Sequence, residues 1–352
     1  MGLRFLRPYL LAIWPVVVLA LVLAMVLLWF GEAPGGRQRI ITAALVNLVA
    51  VTGIYIFIGN SGVTSFGHVG FMAVGAYSAA WLTIPPAMKA SLLPGLPAWL
   101  VATELAPGLA VPLAGLAAAA VALIFGLPLM RLSGITASIG TFAMLSILHS
   151  VFANWTPVTG GQGSLYGMPR YTDMQVATLW ALVAMVVAAL YQASPAGIRL
   201  RASREDMVAA RAAGVNVPRE RLIAFVLSAF FVGVAGALFA YLSMVVVANQ
   251  FYLQLTFLTI AMLVIGGMRS LTGAFVGVAF VSILAEILRQ TERGVDIGII
   301  SFSGRPGLQE VGLATAMLLA LIFRPQGLTG GREIRLPQLR MPKRKSRKER
   351  TP

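Results

Sequence analysis

Cysteine is absent from this 352-residue chain, histidine occurs twice, and aspartate and glutamate together number 12. Without cysteine there is no disulfide, no thiolate nucleophile and no zinc–thiolate site. His68 and His149 lie far apart in the sequence, so a metal centre built from them is not expected. No GxxxxGKS/T stretch occurs, which removes a Walker-type phosphate cradle. HExxH, GxSxG and an EF-hand loop are missing as well. Charge itself is scarce, at 11% of residues, where a soluble domain carries about 25%. Most of the chain therefore cannot face water.

What fills the chain is apolar. Hydrophobic residues make up 58%, and several runs reach the length that crosses a bilayer, about 20 residues. Ten crossings are expected: 9–30, 40–58, 63–82, 108–130, 135–152, 174–191, 222–247, 253–268, 271–288 and 308–323. The first follows Arg4 and Arg7 and exceeds a signal-peptide core, with no small-x-small cleavage site after it, so it reads as a retained span. A proline-studded stretch near 85–107 is too irregular to cross and leaves room for a short half-helix at WLVATEL.

The net charge of +15 invites a nucleic-acid reading. Its distribution speaks against that. Ten of the 27 lysines and arginines lie beyond Phe323, and six arginines lie between Arg199 and Arg221. Basic residues next to spans mark the cytoplasmic side. With the N-terminus inside, ten crossings leave the 194–221 loop, Arg131, Arg269 and the tail on that one side. The basic tail 333–352 is suited to anionic lipid rather than to nucleic acid.

Glycine (36) and proline (19) are frequent. Irregular backbone at membrane depth is tolerated only where protein or a water-filled cavity satisfies it. Gly67, His68, Gly70 and Gly75 in SFGHVGFMAVGA, Gly266, Gly267 and Gly273 near SLTGAFVGVAF, and His149 are the candidates for lining a path. The alternative for each glycine is close helix packing, as expected of Gly233/Ala237, Gly236/Ala240 and Gly273/Gly277. For His68 the alternative is a buried ring bonded to backbone freed by Gly67 and Gly70. The weak likeness of the two segments suggests an inverted repeat around a path. Beyond the histidines, Glu286, near a helix end, is the further candidate for a charge within the expected spans. No proton relay is visible, so if the chain transports a solute the energy is expected from elsewhere. Thr159, Gly160, Gly161 and Gln162 form either an external contact for a soluble binding protein or an ordinary turn.

The charged loop does not belong in lipid. Ser203-Arg-Glu-Asp206 has the form of a capping box, MVAARAA is made of helix formers, and Gly214 supplies a stop. A helix of about three turns over 203–213 is expected, with Glu205 and Asp206 at the positive end of its dipole. Its small face, Ala209 and Ala210, lets another surface approach closely. A connector folded on its own bundle is the alternative.

RASREDMVAARAAGVNVPRERLIAFVLSAFFVGVAGALFAY resembles the cytoplasmic coupling segment and following span of branched-chain amino-acid permeases, subunits of ATP-binding-cassette importers. GNSGVTSFGHVGFMAVGAYSAA, WTPVTGGQGSLYGMP, IGGMRSLTGAFVGVAF and IFRPQGLTG resemble further blocks of that family, in the same order, over roughly residues 40 to 332. The resemblance implies an all-α polytopic membrane protein of the type II-like permease architecture, with 8–10 transmembrane helices, broken or re-entrant segments and an inverted repeat. The permease domain would cover 1–332. It implies no catalysis and no cofactor in this chain, since ATP and Mg would be bound by a partner. The implied partners are two ATPase subunits, a second permease and an external solute-binding protein, at a bacterial inner membrane with both termini cytoplasmic. Ser203, Glu205, Asp206, Ala209, Ala210, Arg211 and Gly214 would couple to the ATPase, with Ala209, Ala210 and Gly214 in closest contact. The cargo would be branched-chain amino acids. Urea or short-chain amide permeases share the same blocks, and a self-sufficient carrier or channel is the rival class. Near Ser146 this chain lacks the acidic residue that the family often carries.

Overall fold

In lipid each backbone N–H and C=O must be satisfied within its own segment, so every long apolar run closes into a helix. The computed structural model describes residues 2–31, 34–292, 295–297, 300–302, 307–324 and 326–334. It runs α1 (Gly2–Phe30), α2 (Gly35–Ser61), α3 (His68–Thr83), α4 (Pro86–Leu92), α5 (Ala98–Ala102), α6 (Pro107–Leu129), α7 (Gly134–Asn154) and α8 (Thr156–Thr159). Then follow β1 (Leu165–Tyr166), α9 (Met174–Ala193), α10 (Pro195–Glu205), α11 (Met207–Ala212), α12 (Val217–Ser243), β2 (Val245–Val246) and a 3-10 turn (Ala248–Phe251). The rest is α13 (Leu253–Gly266), α14 (Leu271–Glu292), β3 (Val295–Ile297), β4 (Ile300–Phe302) and α15 (Leu308–Phe323). Two short antiparallel ribbons, β1 with β2 and β3 with β4, are the sheet content among the described residues.

The protein is an all-α polytopic membrane protein. Eight helices among the described residues are long and apolar enough to cross a bilayer. The other two expected crossings, α3 and α15, have 16 residues each, about 24 Å of helix, short of a 30 Å hydrocarbon core. α3 is buried along most of its length, so the protein rather than lipid surrounds it. The half-helix expected near residue 100 is α5. The basic tail lies outside the described residues from 335 onward.

α12 is the centre of the bundle and packs against α2, α3 and α6, with α9 against α2 and α14 against α13. Apolar side chains gain little from leaving lipid for one another, so close packing must hold these helices. Glycine permits it. A Cβ on Gly236 would fall on the Met72 carbonyl, one on Gly75 on the Gly233 backbone, and one on Gly277 on the Met262 carbonyl. Ser228 Oγ adds a 2.6 Å hydrogen bond to the Gly53 carbonyl across the α12–α2 contact.

One end of the bundle gathers the 194–221 loop, the α2–α3 turn and the α13–α14 turn. Arg204 Nη1 reaches the Gly59 carbonyl at 2.5 Å and Arg221 Nη1 the Leu132 carbonyl at 2.9 Å. The segment 326–334 straps the same end: Leu328 N–H donates to Ile265 O (2.8 Å), and Glu333 accepts from Leu271 N–H (2.6 Å) at the start of α14. α3 and α14 both begin at this end and run the same way. Their small-residue segments are therefore not the oppositely oriented pair of an inverted repeat, and their likeness reflects shared close packing. At the other end Leu105 N–H bonds Leu82 O, Trp81 Nε1 bonds Val158 O, and Lys89 is fully buried with its ammonium on the carbonyls of Leu100 and Thr103. Burial lowers the Lys89 pKa from its ordinary value, and Glu104 opposes that shift.

Candidate coupling surface and translocation path

The loop is two helices rather than one. Ser194 caps α10, its Oγ accepting from Gly197 N–H at 3.2 Å, and Pro195 occupies the first turn, where a missing N–H costs nothing. That early start carries Ser203 into the helix body, where it is buried and its hydroxyl donates to Leu200 O. The expected cap at Ser203 is therefore incorrect. Asp206 is the cap: extended at φ −148° and ψ 108°, it ends α10 and accepts from Val208 and Ala209 N–H, each at 2.9 Å. Helix α11 has six residues, not three turns. Gly214 does end it, at φ +83°, with Val215 N–H returning to Ala210 O at 3.0 Å.

Arginines fix this unit to the bundle. Arg204 holds Gly59 O and also pairs with Glu205 at 2.8 Å, which keeps the exposed Glu205 carboxyl below its usual range. Arg199 pairs with buried Glu220 at 2.7 Å, and Arg201 reaches Gln192 O at 2.6 Å. On α11 the outward residues are Val208, which is 80% exposed, Ala209, Arg211 and Ala212, and Gly214 beyond them is exposed too. Ala210 is 6% exposed and faces the chain itself. Of the residues expected in closest contact, Ala209 and Gly214 face outward, Ala210 does not, and Val208 takes its place. Asp206 is committed to its capping role, leaving Glu205 and Arg211 as the outward charges. Asp206→Ala removes the acceptor for two N–H groups and is expected to cost about 1 kcal/mol. It should appear as faster proteolysis confined to the 203–216 segment, and an unchanged cleavage rate there would count against the capping role of Asp206.

The path candidates fare differently. His68 is 1% exposed, with ring centroids 5.6 Å from Phe57, 5.4 Å from Phe225 and 6.1 Å from Phe71. By distance and angle neither ring nitrogen completes a hydrogen bond among the described residues, while the Ser65 backbone lies close enough to act on the ring. Gly67 abuts Thr141 O, Gly70 abuts Leu148, Gly75 abuts Gly233, and Gly266 and Gly273 abut one another. All five serve packing. Gly267, at φ +124°, turns the chain between α13 and α14 beneath the strap. His149 is half-buried, stacks on Tyr252 at 4.0 Å and meets Asn249 Oδ1 through Nε2 at 3.0 Å, joining α7 to the 3-10 turn.

Beside that turn lies a cleft of about 470 Å³, walled by Phe239, Leu255, Leu258, Ala261, Leu313 and Met317, with Gln250 and Gln254 as its polar lining. The sequence stretch ANQFYLQLT carried both amides, but nothing in its local pattern sets them apart from a span end. In the loop after α7 Thr159 and Gly161 are buried. Thr159 Oγ1 donates to Phe152 O (2.7 Å) and receives Gly161 N–H (3.2 Å), while Gly160 and Gly161 have positive φ. Only Gln162 of that quartet is exposed. No cluster of His, Asp or Glu able to hold a metal occurs among the described residues.

The family described as branched-chain amino acid transport system / permease component matches residues 36–322. The high-affinity branched-chain amino acid transport system permease protein LivM of Escherichia coli strain K12 is 28% identical over 344 residues, covering 88% of this chain and 74% of that one. Its namesake from Salmonella typhimurium is 28% identical over 327 residues, covering 83% and 70%. No solved structure matches the chain.

Proposed function

The chain belongs to the family of branched-chain amino acid transport permeases, and on that premise we propose that it is a permease subunit of an ATP-binding-cassette importer, coupled to a separate ATPase through α10 and α11. It is a transport subunit and a multi-pass membrane protein. The cargo of this reading is a branched-chain or related hydrophobic amino acid, and the apolar cleft with two amides suits such a solute: an aliphatic wall for the side chain, polar groups for orientation. Two ATPase subunits binding ATP and Mg, a second permease and an external solute-binding protein complete the assembly. In this reading the loop end of the bundle faces the cytoplasm of a bacterium, with both termini on that side, as the clustering of basic residues favours.

The observation that carries the coupling role is the outward face of α11. It is small, apolar and exposed, on a unit that three arginines, Arg199, Arg201 and Arg204, lock to three different parts of the bundle. A mere connector needs no such bracing; a lever that must transmit displacement does. The absence of cysteine makes the test simple. Val208→Cys would be the only thiol in the chain. With a bifunctional thiol reagent in native membranes it should cross-link to a protein carrying a P-loop, whereas Val183→Cys on α9 should not. Cross-linking of neither, with the chain moving solute unaided, would make this protein a carrier or channel.

A further inference from the structure

Beneath the coupling unit, on the same end of the bundle, is a second cleft of about 380 Å³ that the transport reading does not use. Its walls come from the α2–α3 turn (Ser61 to Thr64), the start of α7 (Gly134, Ile135, Ser138), the loop helices (Ser203, Arg204, Met207) and Arg221 on α12. Arg221 is 6% exposed. Its Nη1 is used on Leu132 O, but its buried Nε has no partner among the described residues. A guanidinium donor left unmade in a desolvated place is costly, and an anion is what satisfies it. The second donor set points the same way. Helix α7 has 21 residues and no side-chain cap at its N-terminus, and Gly134 and Ile135 of its first turn line this cleft, at the positive end of the helix dipole. No acidic side chain lines it, while Val63, Ile135 and Met207 give it an apolar wall.

The geometry points to a binding site for a small monocarboxylate with a short apolar tail. The carboxylate lies between Arg221 Nε and the α7 N-terminus, and the tail lies against Val63, Ile135 and Met207. An ammonium group finds no acidic partner there, so a carboxylate lacking one binds better than the corresponding amino acid. The bound molecule bridges α7, α12 and the coupling unit.

The test uses the full-length chain purified in mild detergent, without nucleotide or partner, so its outcome is independent of the transport reading. Isovalerate, leucine and inorganic phosphate are titrated at constant ionic strength while Tm is followed. A ligand that binds only the folded chain raises Tm as its concentration passes Kd. Isovalerate should raise Tm with saturation, leucine at higher concentration, and phosphate not at all. Two variants locate the effect. Arg221→Gln removes the guanidinium. Ile135→Glu places a carboxylate at a helix N-terminus where the native residue is 79% exposed, a change the fold tolerates but the site does not. Both should weaken isovalerate binding at least about tenfold. No shift with isovalerate, an equal shift with phosphate, or a shift undiminished in Ile135→Glu would overturn the proposal.

Discussion

Ala209→Glu is expected to reduce ATP-driven uptake on the order of a hundredfold while leaving the chain folded and inserted. Ala209 lies on the outward face of a short helix, and an exposed helical alanine tolerates glutamate within about 0.5 kcal/mol. At a close protein contact the same carboxylate loses its water and finds no partner, which costs about 3 kcal/mol or more, and each 1.4 kcal/mol is tenfold. The effect therefore belongs to the docked state and not to the fold. Ala210→Glu is the wrong variant for this purpose. Ala210 is buried against its own chain, so glutamate there disrupts α11 whether or not a partner exists. Uptake into proteoliposomes containing the complete transporter, together with size-exclusion profiles of the variant chain, separates the two. Normal uptake by Ala209→Glu would remove α11 from the ATPase contact.

Gly236→Val is expected to abolish stable folding, with a loss of at least about 3 kcal/mol. A side chain on Gly236 meets the Met72 carbonyl and the Ala76 nitrogen, which are backbone atoms of α3 and cannot swing aside. Valine also adds a branch at the point of closest approach. Helices in lipid are held chiefly by such contacts, so prising α12 from α3 forfeits the packing of the central helix against its most deeply buried neighbour. Gly36→Val is the matched control. Its added Cβ meets nothing within 4 Å, and its effect should stay within about 0.5 kcal/mol. Monodispersity in mild detergent and the thermal unfolding midpoint give both results. A Gly236→Val protein as monodisperse and heat-stable as the native chain would show that the α3–α12 crossing has room for a side chain at Gly236.

The spans were legible because hydropathy and length are local properties of the chain. Even the anomalous one, 63–82, was readable as broken, since its glycines and serines interrupt the apolar run before α3 begins at His68. The coupling unit was legible in kind and wrong in phase. Ser203 and Asp206 are both good caps, and what decided between them was Ser194-Pro195, which starts a helix early enough to place Ser203 inside it. Of the two alanines expected on the outer face, Ala209 is there and Ala210 is turned inward. The anchors were beyond reach, because Arg204 to Gly59 and Arg221 to Leu132 join residues 145 and 89 positions apart, which no local spacing encodes. His68 illustrates the reverse hazard. A lone polar residue on a glycine-rich helix looks functional in sequence, yet its surroundings of Phe57, Phe71 and Phe225 come from three separate helices and make it part of the core.

The decisive measurement is radiolabelled leucine uptake by proteoliposomes carrying this chain, first alone under an imposed ion gradient and then with the proposed second permease, ATPase subunits, binding protein and Mg-ATP. No uptake in the first condition and ATP-dependent uptake in the second is the expected result. Uptake by the chain alone, driven by the gradient and indifferent to ATP, would contradict it and reduce α10 and α11 to a braced connector.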